Sequence, residues 1–182
     1  PSLKPIKQDL ATSKKLLAEA GFPGGLEITL NGPQGRYVRD KEVLEAVTGQ
    51  LNKAGIKATM RTYEFVNYLN NMVYVHKAGP VWLIGWGQGM MDAEGIYVPL
   101  FRSGNLMANY QNADMDGMID QAQSTMDEKQ RLALYQRINK LWIDDVPAVP
   151  LYQQIDLYGA SKRLNWKARS DELIKAYDMS LK

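Results

Sequence analysis

The sequence predicts an α/β fold, a mixed but mostly parallel sheet flanked by helices. Three observations predict it. Helical and strand patterns alternate from Asp9 to Ile84 in the order helix, strand, helix, strand, helix, strand, the succession expected of parallel crossover units. Glycines stand at the first two helix–strand junctions, Gly21 and Gly55, where left-handed caps end helices. The third strand segment, Val81-Trp82-Leu83-Ile84, is apolar without alternation, as in a strand buried on both faces.

Asp9 is placed to cap a helix reaching about Ala20, with Leu10, Leu16, Leu17 and Ala20 on its buried side. After the turn Phe22-Pro23-Gly24-Gly25, the alternation of Leu26 to Leu30 marks a strand. Asn31 to Tyr37 holds Gly32, Pro33 and Gly35 and reads as a loop leaving that strand. Val43, Leu44, Val47, Leu51 and Ala54 recur at helical spacing, so a second helix is expected from about Arg39 to Ala54. Ile56 to Tyr63 alternates as a second strand. Glu64 to Val75 reads as a third helix with Phe65, Leu69 and Met72 inward. The chain beyond Ile84 becomes glycine-rich and irregular. A helix beginning near Asn112 carries Met115, Met118, Ile119 and Ala122 on one face. Another begins at Asp127, where Asp127 and Gln130 fit a capping box, with Leu134, Tyr135, Ile138, Leu141 and Trp142 inward. Val149 to Tyr158 looks extended, and Pro150 suits an edge or a crossing segment. Ser161 to Lys182 is polar and weakly patterned.

Composition narrows the function. With 45% hydrophobic and 23% charged residues in 182, the chain can build an ordinary core. A net charge of +2 gives no case for nucleic acid or an anionic membrane as partner. Lys14-Lys15 and Lys162-Arg163 read as solvated faces. The absence of cysteine removes disulfides, thiolate zinc sites and cysteine nucleophiles, and leaves the compartment open. The single histidine, His76, cannot build a triad or a multi-histidine metal site and reads as a surface or helix-end residue. Asp144-Asp145 reads as a helix end, because adjacent helical residues do not share a face. No stretch is long and apolar enough to span a bilayer. The opening Pro-Ser-Leu-Lys-Pro, running almost at once into a helix, reads as a cut inside a longer chain.

The segment Gly85-Trp86-Gly87-Gln88-Gly89-Met90-Met91-Asp92 is the best candidate for a site. Ligands of open α/β sheets bind beyond the carboxyl ends of the strands. Glycines there let a ligand approach the backbone. Trp86 offers a flat apolar face, and Asp92 and Glu94 offer charge. Two readings stand: a ligand-facing loop, or a surface loop whose Trp86 folds back onto the core. Trp82 reads as core. No Gly-Lys-Ser/Thr follows the glycines, so this is no phosphate loop. The methionines are commoner as gap-fillers than as ligands.

A family resemblance emerges from these residues. Ala11 to Leu30, through Lys15-Leu16-Leu17-Ala18-Glu19-Ala20-Gly21-Phe22-Pro23-Gly24-Gly25, closely resembles a segment of bacterial extracellular solute-binding proteins of family 5, the peptide/nickel/opine class. Gln50 to Ile56 resembles that family's second helix–glycine–strand junction. Gly85-Trp86, an acidic stretch and Leu100-Phe101-Arg102-Ser103-Gly104-Asn105 resemble its ligand-lobe loop. Asp127, Arg131, Leu134 and Tyr135, followed by Asp144 to Tyr152, are similar to its closing helix and strand.

The resemblance implies a lobe of the periplasmic binding protein type II kind, here the C-terminal one. Residues 1–148 would be the ligand-binding lobe, and 149–182 the segment crossing back to an N-terminal lobe outside this sequence. It implies a substrate-binding component of an ABC importer, working in the periplasm or another extracytoplasmic space with a membrane permease. The two lobes would close over a peptide or peptide-like solute by hinge motion. The ligand-binding residues implied are Trp86, Gly87, Gln88, Gly89, Met91, Asp92 and Glu94, with Arg36 and Tyr37 after the first strand. No catalytic residue, cofactor or protein-bound metal is expected. Peptide-binding members generally carry an aspartate three residues after the tryptophan, where it pairs with the ligand's α-amino group. Gly89 stands there in this chain. Asp92 or Glu94 would then take a free amine, or the ligand lacks one. A nickel chelate or an opine-like solute is the alternative cargo, and an α/β hydrolase-type enzyme the alternative class.

Overall fold

A computed structural model describes residues 6–87 and 89–182. The chain forms two compact units, one through Gly85 and one from Trp86 onward.

The first unit opens with α1 (Leu10–Glu19). The Asp9 carboxylate accepts from Thr12 N at 2.9 Å and Thr12 Oγ1 at 2.7 Å, satisfying the first helical donors. The other end closes with Gly21 at φ +90°, Phe22 N donating to Leu17 O at 2.8 Å and Gly21 N to Ala18 O at 3.1 Å. This is the paired-bond left-handed cap that the glycine foretold. The expected buried face is corrected: Leu10, Leu16 and Ala20 are exposed, and only Ser13 and Leu17 are half-buried. Helix α1 meets the unit along Ser13, Lys14 and Leu17 at the Ala54-Gly55 turn, where Ser13 Oγ donates to Ala54 O at 3.0 Å.

Strand β1 (Leu26–Pro33) is central in a parallel sheet of order β2-β1-β3, where β2 is Ile56–Tyr63 and β3 is Val81–Trp82. The loop expected from Asn31 is therefore corrected. Asn31, Gly32 and Pro33 continue the ladder, in register from Leu26 opposite Ile56 to Pro33 opposite Tyr63. Tertiary contacts override their turn propensity. Asn31 Nδ2 donates to Ala78 O at 2.9 Å, and its Oδ1 accepts from Tyr63 Oη at 3.2 Å. A Cβ on Gly32 would meet Leu44 Cδ1 at 2.7 Å, so the helix above the sheet packs directly on backbone. That helix is α2 (Asp40–Lys53), with Leu44 only 1% exposed.

The third helix is present in altered form. Glu64 caps α3 (Phe65–Tyr68), accepting from Val66 N and Asn67 N at 3.0 Å each. A π turn over Leu69–Val73 follows, with Tyr74 N donating to Leu69 O at 2.8 Å. Its wider winding turns Tyr68 and Val73 to the core, while Phe65, Leu69 and Met72, expected inward, are half-buried. The segment ends at His76, exposed and left-handed at φ 55°, so its helix-end place is as read from the sequence. Strand β3 is shorter than expected and only half-buried, because it lies at the edge of the three-stranded sheet. Trp82 is likewise half-buried.

The second unit packs α4 (Glu94–Phe101), α5 (Ala113–Ser124) and α6 (Glu128–Asp145) around one cluster: Tyr97 and Phe101, Met115, Ile119 and Ala122, Leu134, Tyr135 and Ile138. Burying each of the large side chains contributes about 1.5–3 kcal/mol. The expected cap at Asp127 is in place, its Oδ1 accepting from Gln130 N at 2.8 Å, and Asn112 also caps α5, its Oδ1 accepting from Met115 N at 3.0 Å. Asp144 and Asp145 do end a helix. Helix α4 was not foreseen; it holds Gly95 and Pro99, both unfavourable inside a helix. A short antiparallel pair, β4 (Leu164–Asn165) with β5 (Ser180–Leu181), closes the chain.

Candidate functional site

The candidate residues fall in two stretches, one in each unit: Trp86 to Glu94 open the second, and Arg36 and Tyr37 lie in the first, beyond the carboxyl end of β1. Parallel sheets offer ligands this edge, because successive crossovers open there.

The loop after β1 is built by a residue the sequence reading passed over. Asp40, only 4% exposed, accepts from Gly35 N at 3.1 Å, Arg36 N at 2.8 Å, Tyr37 N at 3.0 Å and Lys41 N at 2.8 Å. Burial alone would raise its pKa. The four backbone donors outweigh that and leave it below the usual aspartate value. Arg39 just before it is left-handed at φ 56°, which turns the chain into α2. An aspartate opening a helix straight after a glycine-bearing loop was the available signal.

Two candidates hang on this frame. The Arg36 guanidinium lies over the rings of Tyr37 and Phe65, with centroids at 5.2 and 5.1 Å. No carboxylate among the described residues forms an ion pair with it. Tyr37 Oη donates to Gly85 O at 3.0 Å, and its ring covers Gly85 so closely that a Cβ there would meet Cε1 at 2.7 Å. Burial pushes the Tyr37 phenol pKa up. The glycine expected to admit a ligand at position 85 thus admits a tyrosine.

In the second unit Trp86 is 38% exposed and its indole Nε1 donates to Gly95 O at 2.7 Å. The reason lies four residues further on. Pro99 has no N–H to return to the Gly95 carbonyl, so that acceptor is left for Trp86. Asp92 opens α4 by accepting from Glu94 N at 2.8 Å, and pairs in bidentate fashion with Arg131 at 2.6 and 2.8 Å. The Arg131 guanidinium holds the Asp92 carboxyl down to about 2. Glu94 reaches Arg131 at 3.5 Å and accepts from Gln123 Nε2 at 2.9 Å. Both acids offered as ligand charges therefore already share a cation. Arg131 also donates from Nε to Ala122 O at 3.2 Å and from Nη2 to Tyr135 Oη at 3.2 Å, joining α4, α5 and α6.

The remaining candidates are glycines, a methionine and one undescribed residue. Gly89 has open space where a side chain would be. Met91 is exposed and left-handed at φ 51°. A Cβ on Gly87 would stand 3.9 Å from both carboxylate oxygens of Glu172, a residue with no warning in the sequence, itself left-handed at φ 61°. Gln88 lies outside the described residues. Among the described residues no cluster of three or more His, Cys, Asp or Glu could hold a metal, and no helix is long and apolar enough to cross a membrane.

Comparison with known proteins fits this architecture. Heme-binding protein A of Haemophilus influenzae is 25% identical over an alignment of 176 residues that covers 89% of this chain and 30% of that protein. The glutathione-binding protein GsiB of Escherichia coli K12 is 27% identical over an alignment of 172 residues that covers 90% of this chain and 33% of the relative. The chain thus spans about a third of the length of these relatives. The periplasmic binding protein DppA of Helicobacter pylori, solved with the peptide STSA, superposes with a TM-score of 0.70 at 25% identity, covering 82% of this chain and 30% of that one. The fold is that of a periplasmic binding protein, as the resemblance implied. The model of the bacterial extracellular solute-binding proteins, family 5, middle region, matches residues 1–108, and the chain belongs to that family.

Proposed function

We propose that this chain is the second lobe of a two-lobed solute-binding protein that captures a peptide or peptide-like solute and hands it to an ABC permease. The function is binding, with no chemical step, and it is exercised outside the cytoplasm. One observation carries the reading: the family match over residues 1–108 spans both stretches of candidate residues. Trp86 would give the solute an apolar face, Gly87 and Gly89 backbone groups, and Arg36 a positive charge not spent on any described carboxylate. Asp92 and Glu94 would act on the solute through the charge they share with Arg131.

Residues 1–148 would serve as the lobe, and 149–182 as the segment that returns to the other one. The run of exposed apolar side chains from Val149 to Tyr158, with Ile155 at 81% and Leu157 at 92%, supports this, since contiguous apolar surface left in water marks an interaction surface.

Thermal-shift screening of the full-length protein against short peptides, opines and nickel chelates tests the proposal. A peptide that raises Tm in the parent, with the shift reduced in Trp86→Ala, supports it. Stabilisation by nickel chelates or opines alone would replace the cargo. An unchanged shift in Trp86→Ala removes Trp86 from the site.

A further inference from the structure

We infer that Arg131 and Pro99, neither of them in the candidate loop, are positioning residues that hold Trp86 as a fixed platform. The inference rests on the reading of Trp86 as part of the ligand-binding loop.

The two residues act on the same short stretch from opposite sides. Pro99 cannot donate to the carbonyl four residues before it, and an orphaned helical carbonyl needs a partner. Gly95 O finds that partner in Trp86 Nε1 at 2.7 Å. Only a helix that starts at the right place can present this carbonyl. Its start is set by Asp92, which accepts from Glu94 N, and by Gly95 N donating to Asp92 O at 3.1 Å.

Asp92 is in turn fixed by Arg131. The guanidinium makes two short parallel bonds to the carboxylate at 2.6 and 2.8 Å, the fork geometry that defines orientation as well as distance. The fork is itself immobilised. Its Nε is held by Ala122 O, its Nη2 by Tyr135 Oη, and its face lies 5.0 Å from the Tyr135 ring centroid. Lysine keeps the charge but has neither the fork nor the Nε donor. The chain of contacts thus runs from α6 through Asp92 and the first turn of α4 to the indole. It places the aromatic face before any solute arrives, which reduces the ordering cost of binding.

Hydrogen exchange at the Trp86 indole reads this directly. The full-length protein is labelled with 15N at its tryptophan indoles, and the Trp86 signal is identified by its loss in Trp86→Phe. Arg131→Lys is expected to speed exchange of that Nε1–H by about five-fold or more, the factor corresponding to loss of one ordinary hydrogen bond's worth of protection. Asp92→Asn should do the same, and the double variant should add little, because the two act as one unit. Pro99→Ala restores a competing N–H to Gly95 O and should also speed exchange without lowering Tm. Ile138→Val, which thins the same core without touching the clamp, is the control, and it should leave the Trp86 signal at its parental rate.

Unchanged exchange in both Arg131→Lys and Pro99→Ala overturns the inference. So does an equal acceleration in Ile138→Val, since Arg131 would then be no more than part of the helical core. The binding reading fails separately: if Arg131→Lys frees the indole but Trp86→Ala keeps the parental thermal shift with peptides, the platform exists and is not used for the solute.

Discussion

The loops after β1 and β3 are each organised by one aspartate, and the two aspartates are held by opposite means. Asp40 sits in a nearly dry pocket with neutral backbone donors around it. Asp92 is half-exposed and held by a charged side chain from another helix. The first arrangement is local and resists salt, because its partners are peptide groups fixed by the fold. The second spans a long stretch of sequence and depends on a cation that solvent ions can screen. The first loop is thus part of its own backbone, whereas the second is tied on.

The comparison breaks most sharply at Asp40. Asp40→Ala leaves the N–H groups of Gly35, Arg36 and Tyr37 without their acceptor, and should cost about 3 kcal/mol. Asp92→Ala should cost about 1 kcal/mol, since its pair is partly solvated. Urea unfolding of the two variants side by side measures both. Equal losses would erase the distinction.

A smaller effect is expected where the β1 loop closes on the end of β3. Gly85→Ala drives a methyl group to 2.7 Å from the Tyr37 ring, and overpacking of this kind costs about 1–3 kcal/mol. The companion Gly85→Ala/Tyr37→Leu variant should recover part of it. No recovery in the same melt would mean that the backbone at position 85, and not the ring above it, sets the requirement.

Acid and salt give the smallest and most selective effect. Asp92 has its pKa lowered to about 2, against an unfolded value of about 3.9. Its contribution is therefore complete above about pH 4 and is lost as pH falls from there toward 2. After allowance for solvent screening it amounts to about 1 kcal/mol. The difference in stability between parent and Arg131→Lys should shrink over that window, and should also shrink by a few tenths of a kcal/mol at about 0.5 M NaCl. The difference between parent and Asp40→Ala should not respond to salt. A salt response at Asp40 instead would reverse the assignment of the two anchors.

The sequence made the two anchors unequally legible as well. Local devices were readable: the Asp9 and Asp127 caps, the Gly21 cap and the whole of β2 lie where pattern placed them, because each is decided within a few residues. Strand β1 outran its expected end, since Asn31-Gly32-Pro33 carries turn chemistry and is kept extended by Tyr63, Ala78 and Leu44. Helix α4 was not foreseen; it holds Gly95 and Pro99, whose local cost is met by burial of Tyr97 and Phe101. Asp92 was legible as a charge near Trp86. Its pairing was not, because Arg131 lies 39 residues away on another helix.

The π turn over Leu69–Val73 has a consequence for how relatives should align. A π turn is a helix carrying one residue more than an α-helix needs for the same rotation. Here it lets Tyr68 and Val73, five positions apart, share the buried side. Removing one intervening residue, Asn70 or Asn71, would bring them to the spacing of four at which an ordinary α-helix stacks side chains. A family member one residue shorter at this point should form an ordinary α-helix here. It should pair a residue matching Tyr68 with one matching Val73 at four positions, and a single-residue gap there would be the trace of an ancient insertion.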